Sequence, residues 1–224
     1  MIALQKGGLI VSCQARADNP LHGPVHMAAM ARAAEAGGAV AIRANGTADV
    51  TAIRNATNLP VIGINKLFRD GEEVYITPDI AAADAIIATG AEVIGLDCTD
   101  RPRAGDDWQL VLRHISNAGR LTFADISNFE EGVRAADAGA DFVATTLAGH
   151  TTQTRSDFPV ANLGLIEQLA ARLAVPVIAE GMINTPQLAR AALLAGAHAV
   201  VVGTMITNPC AITRAFVADM TGLA

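Results

Sequence analysis

Two side chains of this sequence stand where a buried strand gives way to a turn. Lys66 follows Val61-Ile62-Gly63-Ile64-Asn65, and Glu180 follows Pro176-Val177-Ile178-Ala179. An amine and a carboxylate facing one small molecule suit proton abstraction next to a carbonyl, or Schiff-base formation if the amine attacks. Both roles need Lys66 neutral. Desolvation lowers a lysine pKa toward that state, while ionised carboxylates such as Glu180 and Asp125 favour the ammonium, and the sequence leaves the balance open. Lysine is scarce: 14 arginines carry most of the positive charge, against only Lys6 and Lys66. A solvated lysine at a strand end is the plain alternative, but a chain that uses arginine elsewhere has placed this one at the end of an apolar run.

Gly181 follows Glu180 directly, and Thr185-Pro186 reads as the N-cap and first residue of an amphipathic helix ending at Gly196. A second strand, Ala199-Val200-Val201-Val202, then ends in Gly203-Thr204. Two adjacent strand–glycine turns in a β/α chain can hold a phosphate, because backbone N–H groups approach its oxygens and helix N-termini add partial positive charge. Glycine is common in such turns, so neither is specific by itself. Arg43, closing Ala39-Val40-Ala41-Ile42, can offer a guanidinium fork to a phosphate or to a polar substrate edge, or form a salt bridge at the rim. The five histidines form no cluster, and Cys13, Cys98 and Cys210 lack metal-ligand spacing, so neither a metal nor a disulfide framework is indicated.

The elements that must position these groups repeat along the chain. Strand candidates are Gly8–Gln14, Ala39–Arg43, Val61–Lys66, Glu92–Cys98, Leu121–Ile126, Phe142–Thr146, Pro176–Gly181 and Ala199–Thr204. Helical periods lie between them, at Val25–Gly37, Asp79–Gly90, Phe129–Gly139 and Leu163–Leu173, several closing in Gly-Gly or Gly-Ala. Eight β/α units predict one TIM (β/α)8 barrel domain over residues 1–224. A doubly wound open sheet is the alternative, and it would more often show a Gly-x-Gly-x-x-Gly turn after the first strand. Strand parity places Gln14 with Ile10 and Ser12, Lys66 with Ile62 and Ile64, Asp125 with Leu121 and Phe123, and Glu180 with Ile178. Apolar residues would then fill the lower barrel. Gln14, Arg43, Lys66, Asp97, Asp125, Thr145 or Thr146, Glu180 and Gly203-Thr204 would cap it at the catalytic end.

Composition agrees with this class. Apolar residues make up 51% and aromatics 4%, which suits parallel strands covered on both faces. A net charge of −6 argues against nucleic acid or a membrane surface as partner. No apolar run approaches the roughly 20 residues that span a bilayer, and residues 1–7 lack a leader layout, so a cytoplasmic protein is expected. The segment Asn208–Gly222, with Ile212, Phe216, Val217 and Met220 on one face, should cover the barrel or a partner.

Assembled, these residues resemble the bacterial N-acetylmannosamine-6-phosphate 2-epimerases over nearly the whole chain. The resemblance rests on Gly8-Leu9-Ile10-Val11-Ser12-Cys13-Gln14, on Ala39 to Arg43, on Pro60 to Ile64 with Lys66, and on Asp97-Cys98-Thr99-Asp100-Arg101-Pro102-Arg103. It continues through Ala124-Asp125-Ile126-Ser127, Thr145 to Gly149, Val177 to Gly181 and Val202 to Thr207. It implies a barrel enzyme of sialic-acid breakdown that interconverts N-acetylmannosamine 6-phosphate and N-acetylglucosamine 6-phosphate at C2. Lys66 would accept and donate the proton, Glu180 would assist at C1, and Gln14, Arg43 and Asp125 would position sugar and phosphate. No metal or organic cofactor is implied, and a homodimer is. Two positions depart from the family pattern: Asn208 stands where an arginine is usual, and His150 where a tyrosine is common. Two other readings remain, a Schiff-base aldolase or lyase using Lys66 and a catalytically silent phosphosugar-binding barrel.

Overall fold

The computed structural model describes residues 4–155 and 160–222; the first three residues of the stretch read for a leader lie outside them. Eight strands close into a parallel barrel in chain order, with β1 pairing to both β2 and β8. They are β1 (Leu9–Cys13), β2 (Ala41–Asn45), β3 (Val61–Ile64), β4 (Val93–Asp97), β5 (Leu121–Asp125), β6 (Phe142–Ala144), β7 (Val177–Ala179) and β8 (Ala199–Val202). Around them run α1 (Pro24–Ala36), α2 (Thr47–Ala56), α3 (Ile80–Ile87), α4 (Trp108–Asn117), α5 (Phe129–Asp137), α6 (Leu163–Arg172) and α7 (Pro186–Leu194). A single turn, α8 (Thr204–Thr207), and α9 (Pro209–Thr221) follow β8. The closed sheet excludes the open-sheet alternative.

Alternation along the strands makes two cores. Ile10, Ala41, Ile62, Val93, Phe123, Phe142, Ile178 and Ala199 fill the barrel. Their strand neighbours Val11, Ile42, Val61, Ile94, Val143 and Val177 pack outward against Met27, Ile53, Ile86, Ile115 and Leu169 of the helices. Burying each large aliphatic side chain contributes about 1.5–3 kcal/mol, which makes the two-faced apolar strand the main source of stability. Side-chain caps fix where helices begin: Asp79 accepts from Ala82 N at 2.7 Å, and Thr185 accepts from Leu188 N at 3.1 Å with Pro186 following. Each such cap is worth about 1 kcal/mol. Gly139 and Gly196, one residue past the C-caps of α5 and α7, have φ of 95° and 103°, a region costly for a residue bearing Cβ.

Most strands are shorter at the catalytic end than their apolar runs, because the ladder stops before Lys66, Thr146, Glu180 and Gly203. β2 departs the other way. Expected to end at Arg43, it runs to Asn45, and Arg43 pairs in register with Ser12 and Ile62 inside the sheet. A charged residue looks like a strand end in sequence, but this one finds carboxylates inside the barrel. None of the residues of α9 is buried: Cys210, Ala211 and Arg214 border the barrel mouth, while Phe216 and Met220 are 66% and 81% exposed.

Candidate active site

The floor of the site is an ion network across three strands. Arg43 of β2 sends Nη1 and Nη2 to the two carboxylate oxygens of Asp125 at 2.9 and 2.6 Å. Nη1 also donates to Glu180 Oε2 and, at 3.2 Å, to Thr146 Oγ1, whose hydroxyl in turn donates to Asp125. The Arg43 guanidinium lies 5.0 Å from the Phe123 ring centroid. Arg43 is 1% and Asp125 0% exposed, whereas Glu180 is 13% exposed. Burial alone would favour the neutral guanidine, but Asp125 and Glu180 outweigh it and raise the Arg43 pKa. Burial pushes the Asp125 carboxyl up, against the pull of Arg43. Thr145 and Thr146 divide their tasks: Thr146 joins the network, while Thr145 Oγ1 bonds Glu180 O and N at 2.9 and 3.1 Å and fastens the end of β7.

Lys66 rises from the opposite wall, four strands from Glu180. Asn45 Oδ1 accepts from its backbone N at 2.7 Å, and Lys66 itself bridges antiparallel to Ile76. Burial lowers its pKa to about 8; nearby Arg43 and Arg16 push the same way, and Glu180 and Asp125 oppose. Desolvation thus wins the contest that composition left open, and about one-tenth of the amine is neutral at pH 7.

Above this floor opens a cavity of about 1050 Å³, large enough for a phosphorylated sugar. Gln14, Tyr75, His150, Gly181, Gly203 and Thr204 are among its lining residues. Gln14 Nε2 donates to Ser12 Oγ at 2.8 Å, while its Oε1 is buried with no hydrogen-bond partner in the described residues. A donor on a bound molecule would satisfy that oxygen. Gly181 (φ 100°) and Met182 (φ 56°) turn left-handed in succession at the edge of the cavity. Gly203 lies so close to β1 that a Cβ there would stand 3.2 Å from Ser12 Cβ. Burial, with Arg155 and Lys66 nearby, lowers the His150 pKa and favours the neutral imidazole. Among the described residues, no three His, Cys, Asp or Glu side chains gather as a metal ligand set.

The structure therefore brings Gln14, Arg43, Lys66, Glu180, Gly181, Gly203 and Thr204 to one cavity, with Asp125 beneath it behind Arg43. Asp97, read as another inward strand end, is instead held by Arg101 and Thr99 away from the cavity. Sequence reasoning passed over Asn45, Tyr75, Arg16 and Arg214, all of which line the cavity. Asn45 shares the Arg43 face two residues on and was legible by parity. The other three lie on loops and α9, where no period reports direction. Arg214 reaches Cys210 Sγ at 3.7 Å and pairs with no carboxylate among the described residues.

A β/α barrel with a lysine of lowered pKa facing a carboxylate over one sugar-sized cavity is an enzyme built for acid–base chemistry on a small carbonyl substrate. The chain matches the NanE family model, "Putative N-acetylmannosamine-6-phosphate epimerase", over residues 27–222, and it belongs to that family. A Clostridioides difficile protein bearing the corresponding 2-epimerase name is 44% identical over 218 residues, covering 97% of each chain. A like-named Clostridium perfringens relative is 45% identical over 217 residues, 96% of this chain and 98% of its own. The solved N-acetylmannosamine-6-phosphate 2-epimerase from Clostridium perfringens superposes with a TM-score of 0.92 at 44% identity, covering 96% of this chain and 93% of that one.

Proposed function

We propose that this protein interconverts N-acetylmannosamine 6-phosphate and N-acetylglucosamine 6-phosphate, in amino-sugar and sialic-acid breakdown, with residues 1–224 as one catalytic domain. The observation that carries this is the Lys66 amine, brought to about 8 by burial and facing Glu180 across the cavity. In the open-chain sugar C2 lies next to the C1 aldehyde. Lys66 takes the C2 proton, the C–H electrons form the C1–C2 double bond, and negative charge moves to O1. Glu180, steadied by Arg43, holds or passes a proton at O1, where charge develops in the transition state. Return of the proton from Lys66 to the other face of C2 gives the epimer. The experiment is proton NMR of N-acetylmannosamine 6-phosphate with the enzyme in D2O. Conversion should come with loss of the C2 proton signal; neither exchange nor conversion would sink the reading.

The phosphate sits between the Gly181-Met182 turn and Gly203-Thr204. Arg43 is already shared by two carboxylates, so Arg214 at the mouth is the better placed cation for the anion. Gly203→Val should raise KM for the 6-phosphate more than ten-fold, since the added side chain meets Ser12 and blocks N–H approach. Equal effects on N-acetylmannosamine and its 6-phosphate would place the phosphate elsewhere.

The protein works in the cytoplasm as a homodimer, without nucleic acid or membrane as partner. Among the described residues no helix is long and apolar enough to cross a membrane. The exposed Phe216, Val217 and Met220 of α9 are the surface a second copy would cover. Phe216→Asp together with Met220→Glu should turn a dimer into a monomer in sedimentation velocity; an unchanged sedimentation coefficient would remove α9 from the interface.

A further inference from the structure

The loop Asp97 to Arg103 carries much of the resemblance yet none of the chemistry above. Asp97 Oδ1 accepts from Thr99 N and Oγ1 at 3.0 and 2.7 Å, and Asp97 Oδ2 accepts from Arg101 Nη2 at 2.6 Å. Arg101 is 6% exposed and spends all three sides of its fork. Nε donates to Thr99 Oγ1 at 3.0 Å, and Nη1 reaches out of its own loop to the Glu73 carbonyl at 2.9 Å.

Glu73 belongs to the excursion between β3 and α3, which folds back over the barrel mouth as a small hairpin. Lys66 bridges Ile76, and Leu67 N donates to Tyr75 O at 2.9 Å. Asp97 N donates to Ile76 O at 3.0 Å, so the same residue that anchors Arg101 also holds the returning strand. Ile76 is buried with Ile64 and Leu147, and Tyr75 packs on them while its ring stacks on Phe68 at 5.0 Å. Thr77 closes the hairpin at φ 44°, unusual for a β-branched residue. Its Oγ1 donates to Gly95 O at 2.6 Å and accepts from Asn65 N at 3.1 Å. Such a conformation persists only where surrounding bonds impose it.

We infer that the Asp97–Arg101 pair is a clamp that holds the 66–76 hairpin down on the mouth of the barrel and so keeps water away from the Lys66 amine. Asp97 and Arg101 are positioning residues: neither borders the cavity, and both act through the backbone of Glu73 and Ile76. The groups that face Lys66 come from other elements. They are Arg43 of β2, Asp125 of β5, Glu180 just past β7, Arg16 of the β1–α1 loop and His150 of the β6–α6 turn. None of these groups rides on the clamped segment, and burial is the largest influence on Lys66. Loosening the clamp therefore changes hydration of the amine before it changes any charge around it.

The inference rests on Lys66 as the proton-transferring group, but its test needs no substrate. With two lysines in the chain, protein labelled with 13C at lysine Cε gives two signals, and Lys6, on the opposite end of the barrel beside His198, serves as internal control. Arg101→Lys keeps the charge and loses the fork; Asp97→Asn removes the anchor's charge with little change of shape. In the wild type Lys66 should titrate near 8. In whichever variant folds, by circular dichroism, its midpoint should rise by about one unit or more toward the ordinary lysine value of about 10.4, with Lys6 unmoved. kcat/KM should then fall about ten-fold at pH 7 and recover toward the wild-type value above pH 10, a recovery that mere destabilisation does not produce. An unmoved Lys66 midpoint in a folded variant, or a wild-type Lys66 that titrates above 10, overturns the clamp. Normal titrations without any C2 exchange overturn the epimerase reading alone.

Discussion

Lys66→Ala should abolish epimerisation and C2 proton exchange together, a loss at the upper end of the roughly 10²–10⁴-fold range for general acid–base groups. The residue tops an inward strand face, its backbone is held by Asn45 and bridged to Ile76, and burial disfavours the charged form of its amine. A base must be unprotonated to act, so kcat/KM of the wild type should climb with pH and level off above about 8. Glu180→Gln keeps a hydrogen-bond donor at O1 and should retain slow C2 exchange. If Lys66→Ala exchanges the C2 proton of one epimer while Glu180→Gln exchanges only that of the other, two bases flank the sugar and Lys66 does not serve both faces. The lowered amine would also suit attack on a carbonyl. Borohydride added with substrate should leave Lys66 unmodified; a covalent adduct would mark an aldolase or lyase instead.

The largest effect on stability should come from Arg43→Met. Asp125 is wholly buried and Glu180 nearly so, and both lean on this one guanidinium. Removing it leaves two carboxylates facing each other in the barrel without a counter-ion. Breaking a buried pair from one side costs about 3–5 kcal/mol, which in a domain of this size lowers Tm by roughly 10 °C. Activity should fall with it, because Glu180 loses the group that orients it. A double replacement, Arg43→Met with Asp125→Leu, removes one stranded charge and should recover part of the Tm but little of the activity. A single Arg43→Met with unchanged Tm would show that the network contributes nothing to the fold.

Much of this molecule is legible in one dimension because its repeating unit is local. The two-residue alternation of Ile62, Ile64 and Lys66, or of Ile178 and Glu180, fixes which face each side chain takes. The Thr185-Pro186 cap and Gly196 mark where a helix starts and stops, by rules that involve only neighbouring residues. The scarcity of lysine pointed to Lys66 before any geometry was known. Period, facing and order were therefore written in the chain: a series of β/α units with polar groups at one end.

Depth and partnership belonged to the tertiary structure. Arg43 and Lys66 both look like charged residues closing a strand, but the stagger between strands puts Arg43 beside Ile62 at the floor and leaves Lys66 past the ladder. Asp97 and Asp125 are register partners and indistinguishable by parity, yet one is captured by Arg101 and the other by Arg43. Thr145 and Thr146 are adjacent, and only the turn that follows β6 decides which joins the network. Nor could composition settle the charge on Lys66, since its burial and the charges around it arise only in the folded barrel. Pattern is local, while shear, burial and electrostatic coupling arise only when all eight strands have closed.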